Sequence, residues 1–344
     1  MMDLFHFRKH WSKIVGFGIL TLFLSCSEPN QILKNQNRGA ALGTSYSIIY
    51  LDDNKLDFQS SIDSVFQVVN QSMSTYISDS DISKINQGDS TVVVDHMFKE
   101  VFELSRKIYH ESNGYFDPTV GALVNAWGFG PEKQIALDSS KVDSILQYVG
   151  FDKVRLNPNG TITKAQPQIY FDFNAIAKGY AIDRLGAMLD QKGIQNYLVE
   201  VGGEVLTKGV NTISKKNWTV GIDDPQVEFG RELKQIISLK NRALASSGNY
   251  RKFRIDSSTG TKYVHTINPK TGYTKNSKIL AASVIADNCA TADAYATTFM
   301  AMELESSKLL IETLKDIEVY IIYLDDQGNS KEFMTSGFES LIGS

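Results

Sequence analysis

Two oxygen-bearing side chains, Asp293 and Thr297, stand four residues apart in a segment that is predicted to be helical. At 3.6 residues per turn, positions four apart lie on the same helix face, one turn from each other. A carboxylate and a hydroxyl placed in this way offer two hard oxygen ligands to one magnesium ion. The spacing therefore indicates a metal-assisted site of the kind that acts on phosphates.

A second candidate is Lys178, near the start of an alanine-rich helix predicted over Ala175–Gln191. The first turn of a helix presents backbone N–H groups and the positive end of the helix dipole, which favour anions, and the ammonium adds a charge. Ala175 has no side-chain ligand, but its backbone carbonyl can bind a metal before the helix begins. Taken alone, a lysine in this position is more often a solvated surface residue.

Aromatic residues stand beside a carboxylate in a predicted loop from Asn113 to Gly121, where Tyr115 and Phe116 precede Asp117. A planar heterocycle needs rings to stack on and an acceptor for its N–H groups, and this loop carries both. A buried turn with ordinary core aromatics is the alternative interpretation. A second predicted loop, 74–86, carries Tyr76.

A histidine, His265, lies beside the Pro269–Gly272 turn. Imidazole is the side chain best suited to proton transfer near neutral pH, although a single loop histidine is more often structural. Ser246-Ser247-Gly248 precedes it and can offer hydroxyls or backbone N–H groups to phosphate. The sequence has no P-loop, no GxGxxG after a strand, no HExxH, no CxxC and no GxSxG, so no other catalytic motif competes.

Hydrophobic periodicity predicts the elements that must position these residues. Strands are predicted over Tyr46–Leu51, Asn196–Leu206, Trp218–Ile222, Leu233–Leu239, Ile279–Ile285 and Glu318–Leu324, and helices over Phe58–Met73, Met97–Ile108, Ser139–Val149, Ala175–Gln191, Asp293–Met302 and Ser306–Lys315. Gly202-Gly203 interrupts one strand, either as a bulge or to let a ligand approach the backbone. Strands and helices mix without a βαβ alternation, which favours an α+β fold.

The N-terminus predicts export rather than a part of the fold. The segment 8–13 contains the basic residues Arg8, Lys9 and Lys13, and an apolar run of about eleven residues follows it. Ser25-Cys26 ends that run, as in the lipobox of bacterial lipoproteins. We expect a signal peptide over 1–25, acylation at Cys26, a polar tether over 26–37 and a location on the periplasmic face of a bacterial membrane. A plain signal peptide and a retained anchor are the alternatives. Cys289 is the other cysteine and is expected to pack in the core.

The charge balance excludes one class of partner. The chain carries a net charge of −4, and residues 1–25 contribute three basic groups and one acidic group, which leaves about −6 for the remainder. No basic stripe is present to neutralise a phosphate backbone, so nucleic acid is not expected as a partner. Membrane contact is expected to come from the lipid and not from a polybasic patch.

Taken together, the motifs resemble the ApbE family of FAD:protein FMN transferases over about residues 38–340. They are, in family order, Leu-Gly-Thr (42–44), Ser-Thr-Tyr (74–76), Tyr-Phe-Asp-Pro-Thr-Val-Gly (115–121), Trp-Gly-Phe-Gly (127–130), Ala-Ile-Ala-Lys-Gly-Tyr-Ala (175–181), Gly-Gly-Glu (202–204), Ser-Ser-Gly-Asn-Tyr (246–250), His-Thr-Ile-Asn-Pro-Lys-Thr-Gly (265–272) and Thr-Ala-Asp-Ala-Tyr-Ala-Thr (291–297). The resemblance implies one large α+β, T-fold-like domain of mixed sheets and helices. Members are often exported lipoproteins.

The resemblance also implies a reaction. With Mg²⁺ bound, FAD is cleaved, FMN is joined through its phosphate to a threonine or serine of an acceptor protein, and AMP leaves. Family acceptors carry a short Ser/Thr-Gly-Ala-Ser/Thr motif and are often subunits of membrane-bound respiratory complexes or exported electron carriers. Hydrolysis of FAD to FMN and AMP, and a non-catalytic flavin-binding lipoprotein, are the alternative functions.

Site residues follow from the resemblance position by position. The metal positions match Ala175 (main-chain carbonyl), Asp293 and Thr297, the proposed base matches His265, and the FAD contacts match Leu42, Tyr76, Tyr115, Phe116, Asp117, Lys178 and Thr266. Three positions depart from the family pattern: Leu42 stands where Met is usual, Ser246 where Thr is usual, and Asn268 where Asp is usual. Asn268 removes a negative charge near the site.

Overall fold

Among the described residues, eight strands form one antiparallel sheet at the centre of the fold. The computed structural model describes residues 31–227, 230, 232–249, 253–255, 262–275 and 277–343. The strands are β1 (Leu33–Ala41), β2 (Thr44–Asp52), β3 (Val154–Leu156), β4 (Ile162–Lys164), β5 (Asn196–Val201), β6 (Glu204–Lys208), β7 (Trp218–Asp223), β8 (Leu233–Leu239), β9 (Ala243–Gly248), β10 (Phe253–Ile255), β11 (Lys262–Val264), β12 (Ile279–Ala286), β13 (Glu318–Leu324) and β14 (Ser330–Met334).

The central sheet has the strand order β1-β2-β5-β6-β9-β12-β13-β14, and β3–β4, β7–β8 and β10–β11 form separate two-stranded sheets. The helices are α1 (Gln59–Met73), α2 (Asp81–Asn86), α3 (His96–Glu111), α4 (Gly121–Ala126), α5 (Ser139–Leu146), α6 (Ala177–Gln191), α7 (Cys289–Ala301), α8 (Leu304–Thr313) and α9 (Ser336–Glu339). This mixture confirms the α+β prediction.

Both faces of the sheet are covered, because alternate side chains of a strand point to opposite faces. On β13, Val319 and Ile321 belong to the core beneath α3 and α7, whereas Tyr320 and Ile322 belong to the core beneath the β7–β8 hairpin and α9. On the neighbouring strand β12, Val284 belongs to the first of these cores and Ile285 to the second. This double burial explains why these strands are continuous apolar runs in the sequence.

The positions of the helices follow from their amphipathic faces. On α1, Ile62, Phe66, Val69 and Met73 are buried at helical spacing, as predicted. Helix α7 is different, because Asn288 caps it and nearly all of its side chains are buried. It packs on β9 and β12, and α6 packs on α7. The helix that carries Asp293 and Thr297 is therefore the central helix of the fold.

Three predicted elements differ from the structure. The strand predicted over Asn196–Leu206 is a hairpin, since Gly202 and Gly203 adopt positive φ angles of 62° and 99° and form its turn rather than a bulge. Within the loop predicted over 74–86, α2 forms a short helix, capped by the Ser80 hydroxyl, which accepts a hydrogen bond from Ser83 N. Helix α5 ends at Leu146 rather than at Val149.

The tether predicted over 26–37 is wrong for residues 33–37, which belong to β1 and pair with β2. Asn35 and Asn37 are buried, with their amides satisfied: Leu56 N donates to Asn35 Oδ1 at 2.9 Å, and Tyr50 Oη donates to Asn37 Oδ1 at 2.8 Å. The buried positions of this strand are asparagines whose amides are hydrogen-bonded, so the sequence lacks the alternation of apolar and polar residues that predicts a strand.

The signal peptide over 1–25, the acylated Cys26 and the first residues of the tether lie outside the described residues. Within the described part of the chain, no helix combines the length and the apolar character that a membrane span requires.

Candidate active site

The centre of the candidate site is the place where α6 meets α7, and it depends on a residue without a side chain. A Cβ atom on Gly179 would lie 2.3 Å from the carbonyl oxygen of Cys289, so no larger residue fits between the two backbones. The close approach lets Gly179 N donate a hydrogen bond to Asp293 Oδ2 at 3.1 Å. The segment that carries Lys178 therefore contacts the segment that carries Asp293 directly.

Asp293 is a buried carboxylate, with 4% of its surface exposed. Burial raises its pKa to about 7, Lys178 opposes this rise, and the negative charge of Glu204 adds to it. An ionised carboxylate is thus disfavoured here unless further positive charge is supplied. A bound cation is the natural source of that charge.

Lys178 is less available than the sequence suggested. Its Nζ lies 2.9 Å from Glu204 Oε2, and the Glu204 side chain is only 3% exposed. Burial lowers the pKa of Lys178, but Glu204 and Asp293 outweigh burial and raise it above its ordinary value. The lysine is therefore charged and partly neutralised by Glu204, although an ammonium has three N–H donors and can still contact an anion.

Thr297 shares the face of α7 with Asp293, as predicted, and turns toward β9. Its Oγ1 lies 3.3 Å from Ser247 Oγ, and the neighbouring Ser246 Oγ lies 2.7 Å from Ser283 Oγ. Ser246 and Ser283 point to the opposite face of the sheet, because successive residues of a strand alternate between its two faces. The hydroxyl that β9 offers to Thr297 is therefore that of Ser247, and the serine that replaces the family threonine lies on the other face.

The residues present fit a magnesium ion. They comprise the buried Asp293 carboxylate, the Thr297 hydroxyl and the carbonyl of Ala175, two residues before α6, all of which are hard oxygen donors. Among the described residues, no group of three or more His, Cys, Asp or Glu side chains could hold a metal. The predicted magnesium ligands include only one residue of these four types, Asp293. The absence of a cluster of three therefore does not test the predicted magnesium site.

The aromatic loop is only partly as expected. The Tyr115 ring is half-buried, with Lys270 Nζ 4.7 Å from its centroid. Phe116 is 3% exposed and packs in the core below α3, so its ring offers no stacking face and only its backbone remains for a ligand. Tyr76, by contrast, is 58% exposed, and burial of its hydroxyl and the charge of Asp172 raise its pKa.

Asp117 is held by the loop that carries it. Its Oδ1 accepts hydrogen bonds from Thr119 N at 2.8 Å and from Thr119 Oγ1 at 2.6 Å. Burial raises the pKa of Asp117 to about 6, and these bonds limit the rise. The carboxylate also lines a cavity of about 300 Å³ whose far side is formed by Pro269 and Lys270. The structure therefore brings the aromatic loop and the histidine turn together.

The histidine turn is tied to the end of β9. Thr266 Oγ1 donates to Asn249 Oδ1 at 2.9 Å, and Asn249 stands two residues after Ser247, the partner of Thr297. Strand β9 thus connects Thr297 of α7 with the turn that carries His265, which is half-buried.

Asn268, which stands where the family has Asp, acts within the turn. Its Oδ1 accepts a hydrogen bond from Lys270 N at 2.9 Å, and its carbonyl accepts from Gly272 N at 2.8 Å. Asn and Asp both form such a turn, so the amide preserves the backbone geometry while removing the charge. The remaining residue, Leu42, lies in the β1–β2 turn with a positive φ of 51° and packs against two cores.

Sequence reasoning missed two residues of the site. Glu204 is one of them, because the sequence shows only that it follows the Gly-Gly turn and not that it lies beside Lys178. A buried carboxylate next to a lysine is a strong electrostatic partner. Asn249 is the other, because nothing in the sequence shows that its amide oxygen accepts a hydrogen bond from Thr266.

Comparison with known proteins gives a consistent result. The model of the ApbE family matches residues 42–321. A Haemophilus influenzae protein named FAD:protein FMN transferase is 32% identical over 334 residues, covering 93% of this chain and 95% of the relative. A Vibrio cholerae protein of the same name is 32% identical over 343 residues, covering 97% of this chain and 99% of the relative.

The fold agrees as well. The solved flavin transferase ApbE from Vibrio cholerae superposes with a TM-score of 0.80 at 31% identity, covering 91% of this chain and all of that chain. An ApbE protein from Thermotoga maritima gives a TM-score of 0.79 at 25% identity. Both findings confirm the mixed α and β single-domain architecture, and the chain belongs to the ApbE family.

Proposed function

We propose that this protein is an FAD:protein FMN transferase, which moves FMN from FAD to a threonine or serine of an acceptor protein and releases AMP. The observation that carries the proposal is the buried Asp293 carboxylate at the α6–α7 contact, in a chain similar over nearly its whole length to FAD:protein FMN transferases. Bond changes follow from this assignment. The acceptor oxygen bonds to the FMN-side phosphorus, and the bond between that phosphorus and the bridging oxygen breaks.

The chain's own residues divide this work. Asp293, Thr297 and the Ala175 carbonyl would hold Mg²⁺, which supplies charge neutralisation for the pyrophosphate and the leaving AMP. Lys178 keeps its charge beside the same site and can donate to a phosphate oxygen. His265 takes the proton of the acceptor hydroxyl, and Tyr76, Tyr115 and Asp117 contact the flavin nucleotide. Positioning and fixed charges supply most of the rate in such transfers.

One experiment tests the whole proposal. The protein is incubated with FAD, Mg²⁺ and an acceptor that carries a Ser/Thr-Gly-Ala-Ser/Thr sequence, and the acceptor is then weighed by intact mass spectrometry while AMP is quantified. Equal amounts of AMP and of acceptor carrying one FMN support the transferase. AMP with an unmodified acceptor identifies an FAD pyrophosphatase, and neither product identifies a flavin-binding protein.

We propose a location as well. The basic segment, apolar run and Ser25-Cys26 junction support a lipid-anchored protein on the periplasmic side of a bacterial membrane, which faces acceptors of the respiratory chain or exported electron carriers.

Asp293→Asn is expected to weaken divalent-cation affinity by at least about 100-fold, since even partners of a metal ligand cost 10- to 100-fold when removed. Turnover should fall with it. Thr297→Ala should have a smaller effect, because water can replace a neutral hydroxyl. Mg²⁺ titration of the rate and of binding measures both, and an unchanged Mg²⁺ dependence in Asp293→Asn would remove this residue from the site.

His265→Ala is expected to reduce transfer by about 10²-fold or more while FAD still binds, because general-base catalysis is typically worth that much. In the native protein, turnover should rise with pH, since imidazole accepts a proton only when neutral. Fluorescence quenching measures FAD binding, and single-turnover AMP release measures chemistry. Normal release in the variant, with flavinylation intact, would show that His265 is structural.

Asp117→Asn is expected to stabilise the free protein above pH 6 and to weaken FAD binding. The pKa of Asp117 in the folded protein, about 6, exceeds the ordinary 3.8. The free energy of unfolding therefore falls as pH rises from the lower value through 6, by about 3 kcal/mol in total once the carboxyl is ionised in both states. Asparagine keeps the Oδ1 acceptor of Thr119 and escapes that loss. FAD affinity should fall about 10-fold or more through the lost charged acceptor.

Denaturant unfolding of both proteins at pH 4 and pH 8 checks the first effect. The two curves should agree at pH 4, where the native carboxyl is also neutral, and separate at pH 8. A constant difference at both pH values would mean that the carboxyl is not ionised on the alkaline side.

Cys26→Ser is expected to abolish acylation and to release the protein from membranes, because a serine hydroxyl cannot replace the lipidated thiol. Membrane fractionation together with the mass of the mature chain measures both. Cys289→Ser serves as the control and should remain membrane-bound. Continued membrane association of a normally processed Cys26→Ser protein would show that the anchor is not this lipid.

A further inference from the structure

Helices α6 and α7 hold each other through hydrogen bonds that run in both directions. Asp183, on α6, accepts from Cys289 N at 2.7 Å with Oδ1 and from Ala290 N at 2.8 Å with Oδ2. In the opposite direction, Gly179 N of α6 donates to Asp293 Oδ2 on α7 at 3.1 Å. Each helix therefore places a carboxylate on backbone N–H groups of the other.

The spacing makes the two sets interdependent. Asp183 lies one turn beyond Gly179 on α6, and Asp293 lies one turn beyond Cys289 on α7. The missing side chain of Gly179 sets the distance between the helices, since a Cβ would meet the Cys289 carbonyl oxygen at 2.3 Å. Sliding one helix along the other would break both sets of bonds together.

Asp183 does more than cap α7. That helix has its own cap, because Asn288 Oδ1 accepts from Thr291 N at 2.8 Å, and Asp183 takes the two preceding N–H groups. Burial raises the pKa of Asp183 to about 7, so the ionised carboxylate is costly to keep in this place. A side chain that reaches from α6 to two backbone N–H groups of α7, a helix that already has a local cap, is better explained by what it positions.

We propose that Asp183 is a positioning residue, which fixes α7 against α6 so that the Asp293 carboxylate is held ready for a divalent cation. This inference rests on the proposed function, in which Asp293 is a metal ligand. Asp183 contacts neither FAD nor the metal in this scheme. It acts through the first turn of α7, four residues before the ligand it positions.

The test separates geometry from charge with two variants of the full chain. Asp183→Glu keeps the negative charge and lengthens the side chain by one methylene, whereas Asp183→Asn keeps the length and removes both the charge and one acceptor. Binding of Mn²⁺ alone, without FAD, is measured by the electron paramagnetic resonance signal of the free ion. Mn²⁺ accepts the same oxygen ligands as Mg²⁺.

Both variants are expected to bind Mn²⁺ about 10- to 100-fold more weakly, the range found when a group that orients a metal ligand is removed. Asp190→Asn is the matched control. Asp190 also lies on α6 and accepts from Tyr197 Oη at 3.1 Å and from Lys208 Nζ at 2.7 Å, and its variant should bind Mn²⁺ normally. Native affinity in Asp183→Glu would overturn the proposal, because charge alone would then suffice.

A second measurement decides the question if neither Asp183 variant folds. In the Cys26→Ser protein, Cys289 is the only thiol, and it is fully buried. Its reaction with a thiol reagent reports opening of the α6–α7 contact. Because coupling between two events is reciprocal, Mn²⁺ should slow this reaction several-fold. An Mn²⁺-independent rate would overturn the proposal.

Asp293→Asn distinguishes the two levels of inference. If this variant binds Mn²⁺ normally, the metal role in the proposed function fails. If it loses Mn²⁺ while Asp183→Glu retains it, the metal role stands and only the positioning role of Asp183 fails.

Discussion

The close approach of two helix backbones at Gly179 is the constraint on which the rest of the site depends. With the Cys289 carbonyl only 2.3 Å from the place of a missing Cβ, α6 and α7 come near enough for backbone N–H groups of one to reach carboxylates of the other. Asp293 then points at the first turn of α6, where Lys178 stands. The position of Asp293 relative to Lys178 therefore results from helix packing and not from a loop.

Packing of this kind concentrates negative charge away from water. Asp293 and Glu204 both act on the partly buried Lys178, and burial raises the pKa of Asp293 to about 7. One ammonium thus faces two carboxylates, which leaves an excess of negative charge that a cation would balance. The same excess explains why Lys178, although paired with Glu204, remains charged.

Much of the fold was predictable because burial leaves a periodic trace. Helices α1 and α3 and strands β8, β12 and β13 are predicted close to their observed limits, since their apolar residues recur with the period of a helix or form buried runs. Helix α7 begins at Cys289, four residues before its predicted start, because burial on all sides leaves no helical period to read. Strand β1 was missed because its buried positions are asparagines. Its stability comes from amide hydrogen bonds, and a sequence does not show which partners those amides reach.

The site was predictable to a different extent at each position. Spacing alone placed Asp293 and Thr297 on one face of a helix, and the structure agrees. Only the three-dimensional arrangement shows that Glu204 neutralises Lys178 and that Phe116 turns its ring into the core. A family motif thus shows which positions belong to the site. It does not show whether a residue acts through its backbone or its side chain, or how a neighbouring charge changes it.

Strand β9 shows how the fold combines these contributions. Residues two apart on a strand share a face, so Ser247 and Asn249 turn toward the same side. The first meets Thr297 of α7, and the second meets Thr266, next to His265. Two hydrogen bonds from the end of β9 therefore tie α7 to the turn that carries His265, although 31 residues lie between His265 and Thr297 in the sequence.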